Sequence, residues 1–476
     1  MWNFGFWKRK KQTTQTQLIS KVELIKETPW KLVFPKKFLE ELKEFLFSNT
    51  PNENGCYLLT KTYRTQKQSV ILITNLIKPT KKSWKRFSEG ALEPTSSYIN
   101  QSVIQAEATD SGLTFVHTHP NSFHPPGFSF IDEETNSKLF ANLSQILPNQ
   151  PLGSLVFSRG GIHGIIFEKG ITHPISKIEI SGHIISKLND STNITHSQKI
   201  EPKFDRQFKA IGFKSQNKLQ EMTISIVGVG GTGSAVAAQL ARMGVKKLQF
   251  FDHDVITESN VPRVYGSKDT DCGRPKVNVL KDHIESFSNT LVETFQVDIT
   301  KAEILENLLD SDVVFACTDN LSSRAILNDV AIKYFIPLID VGCKIDVNKK
   351  NEIEKAIVKV QVVTPDDACL WCSEALDGKQ IMQESLSTTE KQKLAKEGYY
   401  TSIEKQPSIV SITTRAASMG VDKLLGLIGV FGNDYCSRTQ VEIKDGFMIE
   451  DNPKIKPNCV CQKRKRFVNG QKGGDD

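Results

Sequence analysis

Three groups of residues in this chain have types and spacings that can do chemistry. The first lies in HTHPNSFHPPGFSFID. On a strand ending at Val116, His117 and His119 are two residues apart, so both imidazoles leave the same face. Asp132, in the helix expected to follow, adds a carboxylate. These three leave the fourth position of a tetrahedral site to water, which is the arrangement of catalytic zinc. Such an ion lowers the pKa of water and polarises a carbonyl. A further carboxylate must then take a proton, and a donor must meet the oxyanion. His124 and His163 have no such company and read as a loop residue and a strand residue.

The second group follows the apolar strand TISIV. Gly228, Gly230 and Gly233 form GxGxxG, with Gly231 in the same turn, and a helix should run from Ser234 to Met243 and stop at Gly244. Backbone amides and a helix N-terminus there can receive phosphates. Asp252, about 20 residues on, suits ribose hydroxyls. That much fits a nicotinamide-dependent dehydrogenase equally well. The next residues separate the readings: Asp254, Asn260 and Arg263 in DHDVITESNVPR, Lys276 in GRPK and Asp319 in ACTDN. Adenylyl transfer from ATP needs cations around the triphosphate and a carboxylate for Mg²⁺. Arg263, Lys276 and Asp319 are those residue types. The third group is Cys369-Leu-Trp-Cys372 with Cys459-Val-Cys461, four thiolates able to hold a structural Zn²⁺. Nine cysteines without a secretion signal favour reduced thiols, and Cys56, Cys317 and Cys343 read as structural.

The ordered series DxD…SNxxR…GxxK…TDN resembles the ThiF/MoeB-like superfamily of ubiquitin-activating-type adenylyltransferases, over about residues 204–461. The resemblance implies a Rossmann-like domain with a mostly parallel sheet, ATP and Mg²⁺ as cofactors, and the C-terminal glycine of a ubiquitin-like protein as substrate. It implies that Gly228, Gly230, Gly231, Gly233, Asp252, Asp254, Asn260, Arg263, Lys276 and Asp319 contact the nucleotide, with Asp319 on Mg²⁺. Arg206, in FDRQ, would reach a partner subunit's nucleotide, which implies a homodimer. The family generally holds its structural zinc with two CxxC pairs, where this chain has one CxxC and one CxC. Many members pass the adenylated glycine to a cysteine in the crossover loop, yet no cysteine lies between Cys372 and Cys436. Direct transfer is the default. An oxyester on Ser402 or Thr401, or a thioester on Cys436 or Cys272, stays open, as does activation of a sulfur-carrier protein.

His117-Thr-His119-Pro, followed by Ser129 and Asp132 as SxxD, resembles the JAMM motif of MPN/JAB-type zinc isopeptidases. This implies an N-terminal α/β metalloprotease domain with His117, His119 and Asp132 as zinc ligands. Glu53, in ENGCYLL, would be the general base and Ser129 the oxyanion donor. Nine residues separate His119 from Ser129, where the family usually has about seven. The combined chain is similar to fused proteins of bacterial ubiquitin-like conjugation operons, including the Bub type associated with phage defence. Whether a separate carrier (conjugating) enzyme takes part is left open.

These side chains need a scaffold, and the pattern predicts an α/β protein. A mobile N-terminus spans 1–18, a first domain 19–186, a linker 187–203, a second domain 204–461 and a disordered basic tail 462–476. In the first domain the spacing predicts a helix from Phe38 to Phe47 and strands at 56–59, 70–77, 113–116, 152–157 and 164–167. In the second, a helix from Phe204 to about Gln220 precedes alternating strands and helices, the mark of a parallel sheet. The 476 residues are 38% hydrophobic and 24% charged with net charge +7, an ordinary balance that excludes collagen-like, mucin-like and wholly disordered chains. No apolar run reaches a membrane span and no leader is apparent, so a cytoplasmic protein is expected. The small positive excess does not call for nucleic acid.

Overall fold

The computed structural model describes residues 28–182, 186–188, 201–301, 305–386, 389–390, 407–432 and 436–464. The expected mobile N-terminus, most of the linker, Thr401, Ser402 and all but the first residues of the basic tail lie outside the described residues.

The first half is a sheet that curls until it closes. Its strands are β1 (Trp30–Pro35), β2 (Gly55–Arg64), β3 (Ser69–Ile77), β6 (Gly112–Thr118), β7 (Leu152–Ser158), β8 (Gly161–Glu168), β9 (Ile171–Ser181) and β10 (Ser186–Leu188). They run in the order β1-β3-β2-β6-β7-β8-β9-β10, and β1 also pairs with β9. β9 manages this by length, pairing β8 through Ile171–Pro174 and β1 through Ile175–Ser181. A separate hairpin is made by β4 (Trp84–Ser88) and β5 (Ala91–Pro94). Helix α1 (Lys36–Leu46) starts behind Pro35, whose fixed φ suits a helix entry, and buries Leu39, Leu42 and Leu46 at helical spacing. Helix α2 (Ser96–Ala108) and helix α3 (Phe130–Ile146) pack with the other face of β2, β6 and β7.

The central strand β6 is wholly buried and extends to Thr118, two residues beyond the expected end. The reason is that His117 pairs with Gly55 on one side and Val156 on the other. The expected linker also starts later, since Lys187 and Leu188 belong to β10 and pair with β9.

The second half begins with α4 (Asp205–Glu221), broken at Gly212, whose φ of 76° no helical residue adopts. Its sheet comprises β11 (Thr223–Val227), β12 (Lys247–Phe251), β13 (Leu291–Phe295), β14 (Val313–Ala316), β15 (Leu338–Val347), β16 (Ile353–Val363), β17 (Arg438–Glu442) and β18 (Phe447–Asp451). The order is β13-β12-β11-β14-β15-β16-β17-β18. The first five strands are parallel and the last three return antiparallel. Helices α5 (Gly231–Arg242), α6 (Lys276–Glu285), α7 (Leu305–Leu308), α8 (Leu321–Tyr334) and α9 (Gly378–Ser385) follow in chain order. A long helix, Val410–Leu427, packs beside α5 on one face of the sheet. Among the described residues no helix is long and apolar enough to cross a membrane.

The two halves share a core. Val33, Tyr63, Val70 and Leu72 of the first sheet lie in one buried cluster with Leu308, Leu327, Phe335 and Leu338 of the second half. Tyr63 and Tyr334 meet edge to face at 5.1 Å. Phe335 ends α8 with φ of 56°, a conformation that costs a side-chain-bearing residue ~1–2 kcal/mol. It is kept because it turns the ring into the shared core while the Phe335 carbonyl accepts from Ser181 Oγ at 2.7 Å. At the same seam Glu179 is 7% exposed and pairs with Lys31 and Lys177, and Lys177 lies 3.8 Å from Asp312. Burial pushes the Glu179 carboxyl up, but the two ammoniums outweigh it and hold it at about 2.

Two outcomes follow from this seam. Replacing Tyr63 by Ala should lower stability by about 3 kcal/mol, as for other large core deletions, and shift a single thermal transition of the whole chain. Two transitions, only one of them moved, would mean that the halves fold separately. The depressed Glu179 stabilises the folded state above the ordinary carboxylate range, and that contribution is lost as pH falls toward about 2. Glu179→Gln should therefore flatten the acid limb of the stability curve, while costing about 3 kcal/mol near neutrality by removing the carboxylate that faces the buried Lys31 ammonium.

Candidate functional site

In the parallel part of the second sheet the strand order reverses between β11 and β14. A crevice forms there at the carboxyl ends of the strands, the usual ligand position in open α/β sheets. The glycine turn lies in it. Gly228 has φ of 84°, and a Cβ on it would meet the Cys317 carbonyl oxygen at 2.7 Å, so this position needs glycine. A Cβ on Gly233 would overlap the Gly228 carbonyl, which fixes how closely α5 follows the strand. A Cβ on Gly230 would meet nothing within 4 Å, so its face stays open to the crevice. Gly231 is backed by the aliphatic part of Arg263 and by Thr413, each 3.3 Å from a built Cβ.

The expected nucleotide residues surround this turn. Asp252 follows β12; one of its oxygens accepts from Val229 N and the other from Asp254 N, both at 2.9 Å. Burial raises its pKa, opposed by Lys276. The carboxylate thus clamps the glycine turn as well as facing the crevice. Lys276 is 8% exposed and its Nζ lies 2.7 Å from Asp254 Oδ2. Asn260 is a buried turn residue: its side-chain oxygen accepts from Thr257 N at 3.2 Å, and its carbonyl accepts from Arg263 N at 2.9 Å. It thereby presents Arg263, and its side-chain oxygen closes the turn. Asp319 stands exposed two residues beyond Cys317.

Arg206 is not brought to this crevice. It sits exposed in the first turn of α4, next to Gln207, whose side chain donates to Met243 O at 2.9 Å at the far end of α5. The glycine turn is at the near end, about 18 Å away along twelve helical residues. Sequence reasoning missed Arg324 and Asp340. Arg324 donates to the Thr318 carbonyl at 2.9 Å and pairs with Asp340 at 3.0 Å, and Asp340 is 1% exposed. No spacing rule singles out an arginine in the first turns of a helix or an acid in an apolar strand.

The four cysteines converge. Sγ–Sγ separations are 3.7 Å for Cys369–Cys372, 3.6 Å for Cys369–Cys459 and 3.7 Å for Cys372–Cys461. Sulfurs ~2.3 Å from a tetrahedral zinc lie about 3.8 Å apart, so the set fits that ion, and the CxC pair closes it without a second CxxC. Lys456 N and Gln462 Nε2 donate to Cys372 and Cys461 sulfurs at 3.4 and 3.2 Å.

In the first half His117, His119 and Asp132 place one donor atom each within 4.8 Å of one another. His117 Nε2 is 3.2 Å and His119 Nε2 3.4 Å from the two Asp132 oxygens. Both ring nitrogens of His117 are buried: among the described residues Nε2 has Asp132 Oδ1 at 3.2 Å and Nδ1 has no hydrogen-bond partner, and a cation shared by Nε2 and the carboxylate would suit this pairing. The donor set fits zinc. Burial pushes the Asp132 carboxyl up, but the two imidazoles and the Ser129 amide hold it well below the usual range. Glu53 is pushed up to about 7 by burial, with His119 opposing and Asp132 adding to the rise. Ser129 and Asp132 form a capping box at the start of α3: Ser129 N donates to Asp132 Oδ2 at 2.7 Å and Asp132 N to Ser129 Oγ at 3.2 Å. The SxxD spacing thus orients the carboxylate, with the Ser129 hydroxyl oxygen accepting in the cap. The loop with two extra residues is tied down, since the His124 carbonyl accepts from Ser158 Oγ at 2.8 Å and Arg159 Nε donates to Pro120 O at 3.3 Å. His124 is exposed, and His163 lies on β8 against Phe128, as expected.

Comparison with known proteins bears on the second half. The chain is 32% identical over 146 residues to the sulfur carrier protein ThiS adenylyltransferase of Bacillus subtilis, covering 30% of this chain and 44% of that one. It is 32% identical over 146 residues to the molybdopterin-synthase adenylyltransferase of Haemophilus influenzae, covering 30% of this chain and 60% of that one. It therefore spans less than two thirds of these relatives. Escherichia coli MccB with ATP superposes with a TM-score of 0.44 at 20% identity, over 55% of this chain and 74% of that chain. The family model for the ThiF family matches residues 204–463, more than half of the sequence, and the chain belongs to that family.

Proposed function

We propose that this chain adenylylates the C-terminal glycine of a small ubiquitin-like or sulfur-carrier protein. The observation that carries the reading is the glycine turn at the strand-order reversal, ringed by Asp252, Arg263, Lys276 and Asp319. A carboxylate oxygen of the terminal glycine attacks the α-phosphorus of ATP, the bond to the bridging oxygen breaks, and pyrophosphate leaves with its electron pair. Backbone amides of the turn and the α5 N-terminus hold the phosphates, and Asp252 faces the ribose. Arg263 and Lys276 stabilise charge growing on pyrophosphate, Lys276 having to exchange Asp254 for phosphate. Asp319 is the carboxylate suited to Mg²⁺, which neutralises phosphate oxygens when bound. The name of the Bacillus subtilis relative supports a sulfur carrier as partner. Arg206 lies too far from its own crevice and exposed, which supports its service to a second subunit in a homodimer. The adenylate is passed on directly; Cys272 is exposed and Cys436 half-buried, neither beside the glycine turn in any contact described above.

A second activity is favoured by the convergence of the His117, His119 and Asp132 donor atoms. We infer a hydrolytic centre of the JAMM type in the first half. His117, His119 and Asp132 would hold zinc, which supplies an acidified water and a polarised carbonyl when bound. Glu53, with its raised pKa, accepts the proton, and the Ser129 hydroxyl donates to the oxyanion. Cleavage after the modifier's terminal glycine would expose the carboxylate that the second half activates. A cytoplasmic setting fits both reactions.

These centres should separate by mutation. Asp319→Ala should lower ATP–pyrophosphate exchange, measured with a glycine-ended β-grasp protein, about a hundredfold or more while sparing cleavage of its extended precursor. Glu53→Gln should do the reverse, with a loss of about 10²–10⁴ in cleavage. One change silencing both activities in folded protein would show a shared centre. Purified chain should hold about two zinc ions. His117→Ala should remove one with little effect on melting, and Cys461→Ser the other with a clear drop in Tm. Retention of both ions in either variant would exclude that site.

A further inference from the structure

The proposed Mg²⁺ ligand Asp319 sits on a four-residue loop, 317–320, between β14 and α8. Its side chain is exposed and has no hydrogen bond among the described residues, so its position rests on what holds the loop. On the inner side that is Arg324, which donates to the Thr318 carbonyl through Nε at 3.2 Å and a terminal nitrogen at 2.9 Å. On the outer side Asn320 caps α8, its side-chain oxygen accepting from Ser323 N at 2.8 Å.

That cap leaves the amides of Leu321 and Ser322, and one distant side chain takes both. Glu384, near the end of α9, accepts from Leu321 N at 3.1 Å and from Ser322 N at 2.8 Å, and Ser322 Oγ also donates to it at 2.8 Å. Gln380, one turn earlier, donates to Glu384 at 3.2 Å and sets its orientation. Helix α9 buries none of its residues fully. It meets α8 through Ile381, which packs against the edge of the core, and through the charge-assisted bonds from Glu384 to the helix N-terminus.

We infer that Glu384 is a positioning residue for the metal-binding carboxylate, holding the first turn of α8 and hence Asp319 in place for Mg²⁺. This rests on the adenylylation reading. Supporting groups around a metal ligand typically change metal affinity 10–100-fold when removed, whereas a helix cap that did no more than stabilise α8 would change melting alone.

The test uses the full chain and isothermal titration with ATP at graded Mg²⁺, with ATP in excess chelator as reference. Glu384→Ala should raise the Mg²⁺ concentration for half-maximal ATP binding about tenfold and leave the chelator value unchanged. Glu384→Gln, which keeps one carbonyl acceptor, should fall between. Asp319→Ala should abolish the Mg²⁺ dependence, and adding Glu384→Ala to it should change nothing further. An unchanged Mg²⁺ curve in Glu384→Ala, whatever its melting temperature, overturns the inference while the adenylylation reading stands. So does a Glu384 effect that persists without Asp319. Absence of any Mg²⁺-dependent ATP binding by the wild-type chain overturns both.

Discussion

β11 and β14 are hydrogen-bonded neighbours, and at their ends the Gly228 α-carbon lies against the Cys317 carbonyl with no room for a methyl group. This contact joins the glycine turn to the loop carrying Asp319. The two strands are adjacent, but the chain leaves them toward opposite faces of the sheet. Ile224, Ile226 and α5 belong to one core cluster, and Val227, Val314 and α8 to the other. A crevice must open where the two helices diverge. The proposed nucleotide site is thus a consequence of one crossing point in the topology, and the surrounding charges are arranged on its rim.

The face that carries α8 is also the one against which the first half packs. Leu327, Phe335, Cys369, Cys372, Cys461 and Tyr63 belong to a single buried cluster, and Cys459 packs against it. The thiolate set and the seam therefore brace the same side of the sheet, behind the loop that presents Asp319. The first half is joined by apolar contact, by a buried ion network at Glu179 and by the Ser181 bond to Phe335. It is built onto the second half through a shared core, in contrast to a module tethered by a linker.

Much of this was legible in the sequence because chemistry there leaves a local mark. Gly228 and Gly233 are demanded by backbone geometry, and the four cysteines and HxHP with SxxD declare donor sets at short range. The boundaries slipped where tertiary pairing intervened: β6 runs on through His117 because both neighbouring strands bond to it, and β10 occupies the start of the expected linker. Asn260 illustrates a subtler difference. Its side-chain oxygen also closes the turn that displays Arg263, a task its residue type alone does not announce. Arg324, Asp340 and Glu384 were not legible at all. Each acts through partners 6 to 63 residues away, and no periodicity or motif spacing encodes such a pairing.

The two metal-fitting donor sets differ in a way that separates support from chemistry. Three of the four cysteines are buried, every ligand position is filled by sulfur, and backbone and side-chain donors bond to two of the sulfurs. A tetrahedral ion held there has no open position, which is the condition of a structural site. The His117, His119 and Asp132 set offers three donors, and only His117 is fully buried while the other two are part-exposed. A tetrahedral ion there keeps one position toward solvent, beside a carboxylate whose pKa is raised into the range useful for proton transfer. In the proposed hydrolytic centre, burial of the first ligand would supply the strength of the site and exposure of the others its access. A closed site could not hydrolyse anything, and a fully exposed one would not hold its ion; the graded burial from His117 outward, produced by the strand ending one residue before His119, would satisfy both requirements of the proposed centre.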